Sequence, residues 1–211
     1  MRIVVLIKPG AELEDSDACA VEQALHIAKR RLDVRVSLLT AGPSTCVRAL
    51  RAALALGADD AVHVSDPGIS PHDALTLSRV LAATASDPGF DLIVCGASSG
   101  IPNLTMIPAM VAARLRIPAH HHVVAPDLDL PALPALISVP ACSTPPRHPA
   151  FPAIAEARQK LISTRTLADH PASMIAVKSL SPHSHKIIHA DGDPHAAAVQ
   201  LADFLAEHRF I

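Results

Sequence analysis

Short apolar runs alternate along this chain with stretches in which apolar residues recur every three or four positions. The runs are IVVLI (residues 3–7), VRVSLLT (34–40), AVHVS (61–65) and DLIVCG (91–96). Helical patterns occupy 17–31, 43–56 and 71–84 between them, and 104–115 after the fourth. Unbroken, β-branched runs mark strands buried on both faces, so the alternation predicts a parallel sheet with helices on either side. Helix starts are well marked. Gly42-Pro43 puts a proline at a first helical position, and Ser70-Pro71-His72-Asp73 supplies an N-cap, a first-turn proline and an acid. Gly57 stands where a helix C-cap is expected. In the second helix Val47, Leu50, Leu54 and Leu56 form the buried side, with Arg48 and Arg51 outward.

Past residue 117 the rhythm changes. Residues 128–134 read as a proline-rich connection and 136–141 as a short apolar strand. A loop with Pro145, Pro146, Pro149 and Pro152 follows, and Arg147 stands within it. Prolines cannot join a sheet ladder and hold a fixed, extended course, so Phe151 is expected to be presented from a stiffened loop. Residues 153–160 then read as a short helix. Two short strands are expected at 173–177 and 186–189. A final amphipathic helix is expected over 193–208, with Pro194 in its first turn and Ala198, Leu201, Phe204 and Leu205 on one stripe. The 211 residues suit one α/β domain, 1–190, with a C-terminal helical arm, 191–211.

Composition narrows the partners. A formal net charge of −2 and 2% aromatic residues supply neither the field nor the stacking surface for nucleic acid. Apolar runs are broken by charge or proline before the roughly 18 residues a membrane span needs, and no signal peptide is evident, so a cytoplasmic location is expected. Cys19, Cys46, Cys95 and Cys142 show no CxxC spacing and read as small core hydrophobes. The 13 histidines include the run His120 to His122, but strand alternation brings at most two of those together. No HExxH or carboxylate pattern accompanies them, so no metal is expected.

In an open parallel sheet, ligands bind at the carboxyl ends of the strands where strand order reverses. Segments 8–17, 40–44, 65–70 and 95–105 end there. The last, CGASSGIPNLT, leaves a strand with two glycines, two serines and free backbone amides before a helix, an arrangement that attracts phosphate. An ordinary strand-to-helix turn is the alternative. No GxSxG, P-loop or GxGxxG is present, and no catalytic residue is assigned.

Four segments carry a resemblance: residues 2–8, DACAVEQAL (17–25), TAGPSTCVRALRAALALGADDAVHVSD (40–66) and LPALISVPACSTPPRHPAFPAIAEARQK (133–160). Together the chain resembles the β subunit of electron-transfer flavoprotein. The resemblance implies a three-layer α/β domain of the adenine-nucleotide α-hydrolase-like, Rossmann-like type. It also implies a heterodimer with an α subunit that holds most of the FAD, and a C-terminal arm that clasps that subunit. Electrons would pass from a flavin dehydrogenase to a redox acceptor, so the protein would be a carrier subunit rather than a catalyst in the strict sense. The family's nucleotide site maps onto Leu6, Lys8, Asp17, Ala41, Gly96, Ser98, Ser99, Asn103 and Thr105. Its partner-docking loop, here 143–160, maps onto Arg147, Phe151, Pro152, Arg158 and Lys160. Arg147 would hold the loop or meet an acid, Phe151 would anchor in a partner's pocket, and Arg158 and Lys160 would steer an acidic partner.

The departures concern the nucleotide. The family's loop reads Gly-Lys/Arg-Gln-x-x-Asp-x-Asp-x-x-Thr-Gly-Gln, whereas Ala97 here stands at the basic position, Ile101 and Asn103 at the acids, and Leu104, Thr105 and Met106 over Thr-Gly-Gln. Glu14 replaces an asparagine. These changes put AMP binding in doubt. The chain is also shorter between Lys8 and Asp17, and it lacks a hairpin between 118 and 133. His148 replaces a tyrosine in the docking loop, and Glu156 and Gln159 dilute the basic helix. Two other readings are a stand-alone adenine-nucleotide-binding or hydrolysing protein of the same fold, and a nucleotide-free scaffold subunit.

Overall fold

The apolar runs do form strands. The computed structural model describes residues 1–97, 102–124, 130–141 and 145–169, with Val199 and Ala206 beyond them. The chain divides into two compact units, Met1–Ile175 and Ala176–Ile211, and the boundary expected at 190/191 lies outside the described residues. The elements below all lie in the first. The strands and helix expected over 173–177, 186–189 and 193–208 lie outside the described residues, apart from Val199 and Ala206, which are helical.

The order is β1 (Arg2–Leu6), α1 (Asp15–Lys29), β2 (Arg35–Ala41), α2 (Cys46–Ala55), β3 (Asp60–Val64), α3 (Ala74–Ser86), β4 (Leu92–Gly96), a 3₁₀ turn (Pro102–Met106) and α4 (Ile107–Leu115). Then come β5 (Ala119–His120), β6 (Ala135–Val139), α5 (Phe151–Ala157) and β7 (Ile162–Arg165). The seven strands form one sheet in the order β5-β6-β4-β1-β2-β3-β7. All six pairings are parallel.

Alternate residues of β1 serve opposite layers: Ile3 and Val5 pack under α1 and α2, Val4 and Leu6 under α3 and α4. Strand order explains this division. From β1 the chain builds outward through β2 and β3, then crosses back to lay β4 on the other side of β1, and with right-handed crossovers that reversal moves the helices to the other face. From β6, near one edge, to β7, at the opposite edge, the chain must traverse the α1–α2 layer. The proline-rich loop and α5 lie on that path.

Several element bounds differ from the sequence reading for local reasons. The N-cap of α3 is Asp73 rather than Ser70, because its carboxylate accepts from the Leu75 and Thr76 backbone amides at 3.0 and 3.1 Å. A turn at Pro43 to Thr45 precedes α2, which starts at Cys46. The fourth helix is split, because Pro108 is tolerated only in a first turn, so the 3₁₀ turn comes before it and α4 begins at Ile107. Pro152 likewise sits in the first turn of α5, which puts Phe151 on the helix rather than in the loop before it. Pro140 follows the end of β6 at Val139. The short edge strands β5 and β7 were not anticipated. Gly57 does end its turn with φ of +127°, a conformation glycine adopts without strain.

Candidate functional site

Strand order reverses between β1 and β4, so their carboxyl ends and the start of α1 frame the ligand crevice of this topology. Lys8, Asp17 and Gly96 meet there as the sequence suggested. What they make is a closed ion pair. The Lys8 ammonium lies 2.5 Å from Asp17 Oδ1, donates to Ser16 Oγ at 2.8 Å and stands 3.4 Å from Glu14 Oε2. The Lys8 backbone amide donates to Asp17 Oδ2 at 2.9 Å. Asp17 is buried, and desolvation pushes its carboxyl above the ordinary value against the pull of Lys8.

The N-terminus of α1 is where a phosphate would be drawn by free amides and the helix dipole. Here Glu14, Asp15 and Asp17 bring carboxylates to that end. Asp17 takes the favourable place of an anion, and Lys8 answers its charge. A methyl group on Gly96 would lie within 2.6 to 2.7 Å of Asp17 Oδ1, Lys8 Nζ and Ser16 Oγ, so the polar cluster fills the space above this glycine. The residual cavity bounded by described residues is about 20 Å³, against the roughly 300–1,000 Å³ of small-molecule sites. These residues do not fit a nucleotide.

Among the described residues, the other expected nucleotide positions do not open it. Leu6 and Ala41 are buried in the α3–α4 core, and Leu6 also lines the crevice. Asn103 and Thr105 fall in the 3₁₀ turn, with Thr105 exposed. Ser98 and Ser99 lie outside the described residues. Cys95 is buried, and burial pushes its thiol well up, as suits a core residue. Among the described residues no group of three or more His, Cys, Asp or Glu is placed to hold a metal. No described helix is long and apolar enough to cross a membrane.

The second candidate is the loop before α5. Arg147 reaches Glu22 on α1 in a two-pronged pair: Nε to Oε2 and Nη2 to Oε1, both 2.7 Å. Burial would raise the Glu22 carboxyl, but the bonds and charge of Arg147 prevail and hold it below its ordinary value. Arg51, read from the sequence as outward, instead donates to the carbonyls of Ala157 and Lys160 at 2.7 and 2.6 Å, which fixes the end of α5 to α2. Lys160, expected to steer a partner, turns to its own domain: Nζ donates to the Ala58 carbonyl at 2.8 Å and stands 3.5 Å from Glu156. Three pins thus hold a segment that carries Phe151 on its outer side. Phe151 is 82% exposed, and Pro152 and Arg158 are exposed beside it. The sequence showed Arg147 and Phe151, but not that Glu22 and Arg51 serve the loop, since those contacts join residues more than a hundred positions apart.

A seven-stranded parallel sheet with helices on both faces and a switch-point crevice defines a doubly wound, Rossmann-like α/β domain. Residues 3–131 match the electron transfer flavoprotein domain. A Mycobacterium tuberculosis electron transfer flavoprotein subunit beta is 32% identical over 181 residues, covering 75% of this chain and 68% of that protein. The corresponding subunit of Megasphaera elsdenii is 34% identical over 109 residues, 48% of this chain and 40% of that protein. That of Sus scrofa is 37% identical over 79 residues, 36% and 31% respectively. The chain belongs to the electron transfer flavoprotein family, among its β subunits.

Proposed function

We infer that this chain pairs with an α-type subunit holding most of the FAD, and that the heterodimer carries electrons in the cytoplasm from a flavin dehydrogenase to a redox acceptor. The flavin supplies the redox chemistry, and this chain supplies position and partner choice. One observation carries the reading. Phe151 is fully presented to solvent, at 82% exposure, by a segment that Arg147, Arg51 and Lys160 fasten to the domain. A large apolar side chain held outward at an entropic cost already met in folding is suited to anchoring in a partner. The switch point contributes no nucleotide in this reading, because the Lys8–Asp17 pair occupies it.

The test is co-expression with an α-type subunit. A yellow heterodimer reducible by a dehydrogenase and its substrate is expected, and Phe151→Ala should slow that reduction about tenfold or more while flavin content and thermal stability stay at wild-type levels. A colourless homodimer with bound ATP or AMP would overturn the reading in favour of a stand-alone nucleotide-binding protein. A colourless, nucleotide-free product would make the chain a scaffold.

A further inference from the structure

Beside Phe151 the loop does not lie flat on the helices beneath it. It leaves an open cavity of about 420 Å³ against α1 and α2. The cause is in the sequence of α2, whose residues facing the loop include Ala52 and Ala55, too small to reach the loop above. Leu13, Leu56, Pro149 and Ile154 complete a largely apolar lining. Its charged groups are all basic: Arg51, Arg147 and Arg158, with His148. Arg147 is committed to Glu22 and Arg51 to two carbonyls. Arg158 is exposed, and its side chain has no partner among the described residues. Ile154 is one helical turn from Phe151 and is itself exposed, so the cavity and the anchor form one continuous apolar surface with a cationic rim.

We propose that this cavity receives an apolar side chain from an acidic segment of the partner dehydrogenase, while Phe151 enters the dehydrogenase in return. The proposal rests on the docking reading above and adds a second, opposite anchor. Charge selects the occupant: a lining with basic residues and no acid meets a carboxylate-bearing segment, and the apolar floor takes the side chain between the carboxylates. Two interlocked anchors also fix orientation about the contact, which a single protruding side chain does not.

The experiment uses the intact heterodimer and a purified flavin dehydrogenase that reduces the wild type. Ala52 is exposed, so Ala52→Phe fills the cavity without disturbing the core. It should raise the KM for the dehydrogenase about tenfold, with kcat at saturation and flavin content near wild type. Arg158→Glu should raise KM about threefold at low salt and converge on wild type as salt is added, whereas Arg48→Glu, exposed on α2 outside the cavity, should not. If Ala52→Phe leaves KM unchanged while Phe151→Ala raises it, the cavity proposal fails and the docking reading stands. If neither variant changes KM, both fail. Self-association of the wild type that Ala52→Phe abolishes would assign the cavity to a second copy of this chain and overturn the proposal.

Discussion

Replacing Arg147 by alanine tests how the loop is held. The change leaves Glu22, only 8% exposed at its side chain, without its two-pronged partner. A hydrogen bond to a charged group contributes about 1.5–3 kcal/mol, but Arg147 is 33% exposed and water competes for part of that. Lys29 also lies near enough to favour the Glu22 charge. The net loss expected is about 2 kcal/mol, or about 4–8 °C in Tm for a chain of this size. Urea unfolding of wild type, Arg147→Ala, Glu22→Gln and the double variant should give a coupling energy of about 1–2 kcal/mol. The pH dependence follows from the Glu22 carboxyl, which lies lower in the folded state than its ordinary value of 4.5. A depressed acid stabilises fully above its unfolded value, and the contribution is lost as pH falls through the folded one. The gap between wild type and Arg147→Ala should be greatest near neutral pH and shrink as pH falls through the carboxylate range, because burial raises the Glu22 carboxyl in the variant while Arg147 holds it down in the wild type. A coupling energy under about 0.5 kcal/mol, or a gap that widens in acid, would refute the clamp.

The switch point yields two further expectations. Gly96→Ala should destabilise the protein by about 1–3 kcal/mol in denaturant titrations, because its methyl group would force Lys8, Asp17 and Ser16 apart; wild-type stability would show that the cluster yields freely. Calorimetry with AMP should give an affinity weaker than micromolar or no heat, since the ion pair fills the crevice, and a sub-micromolar Kd would sink that account.

The layer architecture was legible because it rests on periodicity. A strand buried on both faces must be apolar at nearly every position, as in IVVLI and LIVC, and a helix on a sheet must repeat its apolar residues with the helical turn, as at Leu50 and Leu54. The gathering of Lys8, Asp17 and Gly96 also followed from where strands end in such a sheet. The edge strands β5 and β7 were not legible. An edge strand is short and half exposed, so its residues carry no strong pattern; ISTR in β7 has a single aliphatic residue and becomes a strand only by pairing with β3.

The state of the site was decided by tertiary structure alone. The sequence showed a lysine, an aspartate and a glycine without showing that the side chains close on one another and leave about 20 Å³. It showed two arginines, Arg51 and Arg147, that look alike in composition. One holds the carbonyls at the end of α5 and the other a carboxylate on α1, because the path from β6 to β7 lays the loop across both helices. Periodicity is a local property and survives in one dimension. Which charges meet, and which apolar side chain is left facing water, depends on contacts between residues distant in the chain, and these exist only once it has folded.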